Sequence, residues 1–385
     1  MVQVNERVFI FRNIVNSTVI LGDDGIAIVD TQVNSAMARR MLKEMRNISD
    51  KPLKYAINTH YHWDHTNGNN VFKDAGATIV GREKTKEFMV NRAPRQKGFL
   101  ASRGFPLGED PFLPELTFTE DFELDLGSQP LRLLYLGAAE TDDATVVHLP
   151  AENIAISGDT VMTGSFPIFG QPVMNEGLMD DHSWIDTIKA IQQLEPECVL
   201  PGHGPVAREE SIQTLLSIEQ YFIDEVGARV DQGMQIAEVI EDLERNLPDW
   251  IAQIPEVWGT PRYAILRVYR GLVEDDEPGW MQIKPTAIPQ ADLTKVAEVT
   301  ASLKELEDFV AAADEASEGG DAGQEIALLR SATRQFPDDP RGYVALADAL
   351  LKASRDISSV LEKGDFFDEA RNSVKEALPR ASGSI

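Results

Sequence analysis

Residues 58–65 read Asn58-Thr59-His60-Tyr61-His62-Trp63-Asp64-His65 and follow the apolar run Leu53-Lys54-Tyr55-Ala56-Ile57. Three imidazoles and a carboxylate fall between positions 60 and 65, in a chain with only six histidines. A strand that releases such side chains at its carboxyl end is how α/β folds build sites. A further histidine, His203, sits in the turn Pro201-Gly202-His203-Gly204-Pro205, again after an apolar run, Cys198-Val199-Leu200. Imidazole and carboxylate donors without thiolate suit zinc, or alternatively manganese or iron.

Upstream of the cluster the pattern is β-like. Val8-Phe9-Ile10-Phe11, Thr18-Val19-Ile20-Leu21 and Ile26-Ala27-Ile28-Val29 read as strands, with Gly22-Asp23-Asp24-Gly25 as a hairpin turn. Met37, Met41, Leu42 and Met45 give helical spacing over 34–47. Downstream, a strand at 78–80 and a helix over 82–91 precede residues 92–114, where Arg92, Arg95, Lys97 and Arg103 mix with Phe99, Leu100, Phe105 and prolines. That stretch reads as a long loop, either a lid over substrate or a solvated surface segment. Strands are expected over 115–126, 131–136, 145–149 and 153–156, the last running into Ser157-Gly158-Asp159-Thr160, and a helix over 182–194 leads to the His203 turn.

From residue 208 the signal is helical, with helices expected at 208–231, 234–246, 261–273, 292–316, 322–335, 341–354 and 365–378. A break falls at 274–290, where acids and prolines interrupt the periodicity. Residues 322–378 resemble stacked helical hairpins of the tetratricopeptide kind. The domain reading is therefore a catalytic domain over 1–207, a helical extension over 208–290 and a helical region over 291–385.

The chain has 385 residues and a net charge of −27. Such acidity argues against nucleic acid or an anionic membrane as partner, since both need a positive face. The single cysteine, Cys198, rules out an internal disulfide and reads as a small core residue. No apolar run approaches the roughly 20 residues of a membrane span. The start lacks the basic-then-apolar order of a signal peptide, so the expected location is cytoplasmic, or periplasmic or secreted if a leader was trimmed.

His60-x-His62-x-Asp64-His65 followed by Gly-His203-Gly resembles the metallo-β-lactamase superfamily over residues 5–207, because separate motifs occur in order with a strand before each. The resemblance implies an α/β fold, an αβ/βα sandwich, followed here by an all-α C-terminal region. It implies two divalent ions, Zn2+ or else Mn2+ or Fe2+. The first would take His60, His62 and Glu140, the second Asp64, His65 and His203, with Asp159 between them. Most relatives carry histidine where this chain has Glu140. A carboxylate binds at about the same distance, and its charge shifts preference toward harder ions.

A glutamate there resembles the alkylsulfatase branch of the fold. The stretch Gly259-Thr260-Pro261-Arg262-Tyr263, then Pro278-Gly279-Trp280, is similar to the start of that branch's helical dimerisation region, implying a homodimer. Asn91, Arg95 and Arg103 are candidate substrate contacts, the first two in a segment that resembles the one lining the sulfate pocket. Asp159 stands where those sulfatases carry a second glutamate, and the Ser157-Gly158-Asp159-Thr160 context is that of general hydrolases.

These implications point to a dinuclear hydrolase in which a bridging hydroxide, with Asp64 and Asp159 as catalytic groups, attacks a small-molecule alkyl sulfate ester. A lactonase, β-lactamase or other ester or amide hydrolase is the alternative, and a non-catalytic interaction protein stands behind it. The di-iron redox branch usually has glutamate where this chain has His62, and the nuclease branch conflicts with the acidity. His148 and Tyr61 read as structural, His182 as a rim residue, and Asp142 and Asp143 as solvated acids or groups orienting a ligand. Phe166 to Phe169 are read as core or as the wall of an acyl pocket.

Overall fold

A computed structural model describes residues 1–102, 109–127, 130–168, 181–273, 291–357 and 360–381. Two sheets carry the first part of the chain. The seven-stranded sheet runs in sequence order: β1 (Val2–Gln3), β2 (Val8–Phe11), β3 (Ser17–Leu21), β4 (Ile26–Val29), β5 (Leu53–Ile57), β6 (Thr78–Arg82) and β7 (Leu116–Phe118). Its first four strands pair antiparallel and the rest parallel. The five-stranded sheet contains β8 (Phe122–Asp125), β9 (Pro130–Leu134), β10 (Val146–Leu149), β11 (Ile154–Gly158) and β12 (Cys198–Pro201) in the order β12-β11-β10-β9-β8. Only β11 and β12 pair parallel in this sheet.

Where both faces are covered, as at β4 and β12, the strands are apolar without alternation, whereas β8 alternates, with Leu124 buried between exposed Glu123 and Asp125. Between the sheets, Val8, Ile10, Ala27, Val29, Ile57 and Val80 meet Leu131, Leu133, Val147, Ile154, Ile156 and Leu200. Outside the first sheet, Ile26, Ile28 and Ile79 pack on α1 (Ser35–Arg46) through Ala38, Met41 and Met45, and on Phe72 of α3 (Asn69–Asp74); α2 (Trp63–Thr66) lies just before α3. The expected strand over 115–126 is two strands, β7 and β8, one in each sheet. The expected loop over 92–114 is partly helical: α4 (Glu83–Asn91) is followed by α5 (Ala93–Ser102). Pro94 falls in the first turn of α5, where its missing N–H leaves no gap.

The second sheet is covered by α6 (Asp181–Gln193) and then by α7 (Glu209–Asp231), α8 (Ile236–Arg245), α9 (Asp249–Ala252) and α10 (Pro261–Val273). Val146, Ala155 and Val199 share one core with Trp184, Ile188, Ile212, Leu215, Phe222 and Ile265. The helices over 209–273 thus pack into the core of the sandwich.

Contacts divide the chain into two compact units, Met1–Ala101 with Phe105–Gln282, and Ser102–Gly104 with Ile283–Ile385. The second holds α11 (Leu293–Thr300), α12 (Leu306–Glu318), α13 (Ala322–Gln335), α14 (Pro340–Ala353) and α15 (Val360–Ala381), around Ile326, Leu329, Leu346, Leu350 and Phe366. The single helix expected over 292–316 is two, because Glu305 and Asp308 form a capping box that starts α12. The expected break at 274–290 lies outside the described residues. Among the described residues no helix is long and apolar enough to cross a membrane.

Candidate metal centre

One edge of the sandwich collects the carboxyl ends of several strands. β5 leads into Asn58 to His62, β11 into Asp159 and β12 into His203, while Glu140 comes from the β9–β10 connection. Backbone bonds fix these ends. Thr145 N donates to Thr59 O at 2.8 Å, tying the two sheets, and Gly202 N donates to Gly158 O at 2.8 Å.

His60, His62, Asp64, His65, Glu140, Asp159 and His203 are all brought together there, each no more than 6% exposed. Their donor atoms form two groups, one of His60, His62, Glu140 and Asp159, the other of Asp64, His65 and His203. In the first, His62 Nδ1 lies 3.3 Å and His60 Nε2 3.8 Å from Glu140 Oε2. In the second, Asp64 Oδ2 lies 3.1 Å from His203 Nε2 and 3.6 Å from His65 Nε2. Asp159 Oδ2 joins them, at 3.9 Å from His60 Nε2, 3.3 Å from His65 Nε2 and 3.4 Å from His203 Nε2.

These residues fit a divalent cation. Nε2 of His60, His65 and His203 is buried without a well-directed hydrogen bond, although in each ring Nδ1 has a partner. His65 Nδ1 donates to Asp30 Oδ2 and His203 Nδ1 to Ile14 O, both at 2.8 Å. The Thr59 hydroxyl gives its one proton to Asp30, at 2.9 Å from Oδ2, so its oxygen accepts from His60 Nδ1 at 3.0 Å. In its neutral form each imidazole has its lone pair on Nε2, aimed at the carboxylates. Ligands about 2.0–2.2 Å from a tetrahedral ion lie roughly 3.3–3.6 Å apart, which matches the closer contacts. A side chain at Gly202 would fill the cradle, since its Cβ would come 2.2 Å from Asp159 Oδ1.

Electrostatics show how strongly the Asp64 and Asp159 carboxylates draw positive charge inward: in the ion-free cluster it is held as protons on His65 and His203, which a bound cation would displace. Burial and the neighbouring His65 and His62 hold His60 well below the usual imidazole range. Burial, then Asp159, push Glu140 well above the usual carboxyl range. Burial acts against charge on His203 too, but Asp159 and Asp64 outweigh it and raise it to about 10. Asp159, despite its burial, is held well below the carboxyl range by His203 and His65.

Two residues escaped the sequence reading. Asp30, at a backbone φ of +61° just past β4, orients His65 directly and His60 through Thr59. Its only signal was an acid directly after a buried apolar strand. Trp258 lies against His203, ring centroids 4.7 Å apart. The segment that carries it is fastened by Phe166 N to Pro255 O (2.8 Å) and Gly259 N to Phe166 O (3.3 Å).

The other candidates fall elsewhere. Asn91 is the exposed last residue of α4; the Arg95 side chain, the His182 side chain, Arg103 and Phe169 lie outside what is described. Phe166 is core, 5.7 Å from Phe222. Tyr61 packs on Phe88, and His148 lies mid-strand between Arg132 and Ala155. Asp142 meets Lys84 at 3.4 Å, whereas Asp143 is fully buried and its carboxyl pushed up to about 6 by that burial.

The sequence model of the Metallo-beta-lactamase superfamily matches residues 10–203. A linear primary-alkylsulfatase from Pseudomonas sp. is 24% identical over 309 residues, 70% of this chain and 57% of that protein. A metallo-beta-lactamase type 2 from Elizabethkingia meningoseptica is 23% identical over 211 residues, 54% of this chain and 76% of that protein. Among solved structures, the stereoselective inverting sec-alkylsulfatase Pisa1 from Pseudomonas sp. superposes with a TM-score of 0.73 at 13% identity, covering 97% of this chain and 65% of that one. At that identity the likeness concerns the fold. The chain spans less than two thirds of the length of either sulfatase.

Proposed function

The chain belongs to the metallo-beta-lactamase superfamily, and on that premise we propose that it holds two divalent ions and cleaves alkyl sulfate esters. As a metal-dependent hydrolase of this superfamily it would hold one ion through His60, His62 and Glu140 and the other through Asp64, His65 and His203, with Asp159 shared. When bound, the ions supply positive charge for the developing anion and acidify a water near neutral pH. Zinc fits the histidines, and Glu140 shifts the preference toward manganese or iron.

The protein's own groups do the rest. Asp30, Thr59 and the Ile14 carbonyl fix the imidazole tautomers. Asp64 Oδ1 and Asp159 Oδ1 are buried without a hydrogen-bond partner, so each is open to accept a hydrogen bond from the attacking water and orient it. Asn91, Arg95 and Arg103 are proposed to receive the sulfate group, and the working unit is proposed to be a homodimer.

The observation that carries this reading is the buried convergence of seven donors in two groups joined through Asp159 Oδ2. The sulfatase relatives and the acid at position 140 favour sulfate esters. A second reading, ring opening of a lactone or β-lactam, is favoured by the β-lactamase match and by aspartate rather than glutamate at position 159. Purified protein reconstituted with zinc or manganese should release inorganic sulfate from dodecyl or secondary alkyl sulfates. Ring opening without sulfate release would select the second reading. Turnover of neither, with two ions bound per chain, would sink both.

A further inference from the structure

The turn that carries His203 is short of donors. Pro201 and Pro205 bring no N–H to it, so its carbonyl oxygens are met from elsewhere in the fold. A single residue from the other sheet meets most of them. Asn16 lies in the connection between β2 and β3. Its backbone N–H donates to Gly202 O at 2.7 Å, and its amide Nδ2 donates to Pro201 O at 3.0 Å and to Gly204 O at 2.8 Å. The remaining carbonyl, that of His203, accepts from Thr163 N at 3.4 Å. Because β3 belongs to the seven-stranded sheet and β12 to the five-stranded one, these bonds tie the two sheets beside the cluster.

The same connection also reaches the imidazole. Ile14 O, two residues before Asn16, accepts from His203 Nδ1 at 2.8 Å. Backbone and ring of His203 are thus both held from residues 14–16, with Nε2 set 3.1 Å from Asp64 Oδ2 and 3.4 Å from Asp159 Oδ2. The connection is braced in its turn by buried Gln32, whose Nε2 donates to Val15 O at 2.9 Å and to Ser17 Oγ at 2.7 Å. Gln32 sits at a φ of +80°, a left-handed value that persists only where the surroundings fix it. Asn16 is itself buried. An amide suits its place because Nδ2 has two protons for two carbonyls, whereas a carboxylate of the same shape has none.

We propose that Asn16 is a positioning residue for His203, clamping the Pro201–Gly204 turn so that the imidazole stands in place before an ion arrives. The assignment rests on His203 being an ion ligand and adds to that reading a residue that touches neither ion nor substrate. The turn is then ordered during folding and not at binding. Loss of the clamp should weaken the ion held by Asp64, His65 and His203 and spare the other.

Zinc content of the full chain, followed by dialysis against increasing chelator, is the test. The wild type should keep two ions. Asn16→Asp, which keeps the shape and loses both side-chain donors, and Asn16→Ala should each keep about one, the other bound about 10- to 100-fold more weakly. The clamp has nothing to position once the imidazole is gone, so Asn16→Asp added to His203→Ala should cost no further affinity. A merely structural amide would give losses that add in full, and that result would overturn the assignment. Unchanged affinity for both ions in Asn16→Asp and Asn16→Ala would overturn it too and leave the hydrolase reading standing. Should Asn16→Asp fail to fold, Asn16→Ser, with one donor kept, takes its place and should fall between wild type and Asn16→Ala. A wild type that binds no zinc would overturn both readings.

Discussion

His65 and His203 are each held from behind by a full acceptor, the Asp30 carboxylate and the Ile14 carbonyl, both at 2.8 Å. His60 leans on a hydroxyl, Thr59, itself held by Asp30, while His62 faces Glu140, which arrives on a connection between two strands. In the half of the cluster built on His65 and His203 both rings are backed directly, by a buried carboxylate and a backbone carbonyl. In the half built on His60 and His62 the backing of His60 runs through a hydroxyl, and Glu140 arrives on a loop. Ion loss should therefore begin in the His60–His62 half, and variants can test that order.

Asp30→Ala should have the largest effect, because it removes the brace of His65 and the relay to His60 together. Ion content after dialysis should fall below one per chain, with affinity down about 100-fold and hydrolysis lost. Two ions retained would show that neither half depends on Asp30. Glu140→Ala should strip only the His60–His62 half: metal analysis should find about one ion per chain, the remaining one bound as before. Glu140→His should restore the second ion and move preference from manganese toward zinc.

Asp143 reports what the Glu140 loop costs the fold. Its carboxyl is raised from 3.8 to about 6 by burial, so the folded state holds its proton more tightly than the unfolded chain. Stability is then fully present below the unfolded value and declines as pH rises through 6. In chelator-treated protein, Asp143→Asn should gain about 2 kcal/mol over the wild type between pH 4 and pH 7, read by urea titration. A constant difference across that window would remove Asp143 from the account. Trp258→Ala should have the smallest effect, weakening the His203 half by about tenfold in ion affinity, with Trp258→Phe close to wild type because an aromatic face still backs the imidazole. Equal losses in both variants would make Trp258 mere packing.

Most of this centre could be read from the chain because the donors come in short runs after apolar strands. His60 to His65 and His203 are local signals, and Glu140 and Asp159 stood out through a resemblance. Asp30 was not visible, since nothing in Val29-Asp30-Thr31 announces a bond to a histidine 35 positions away. Trp258 sits in a connecting segment without periodicity, so only tertiary contacts reveal its neighbour. The helix α5 was hidden by Pro94 and Gly98, which read as loop residues although proline is welcome in a first turn. The separation of β7 from β8 was hidden because Leu116, Phe118, Phe122 and Leu124 keep an even spacing across only three intervening residues, so the chain's change of sheet does not disturb the alternation.

Gly202 has a consequence for how this protein can vary. Even a methyl group there would intrude on Asp159 Oδ1 and on His65 Cε1, at 2.2 and 2.8 Å. In a saturation library selected for activity, that codon should come back with a single amino acid, and the smallest replacement, alanine, should fare little better than tryptophan. Drift in the surrounding turn must therefore go around a fixed point that carries no functional group of its own.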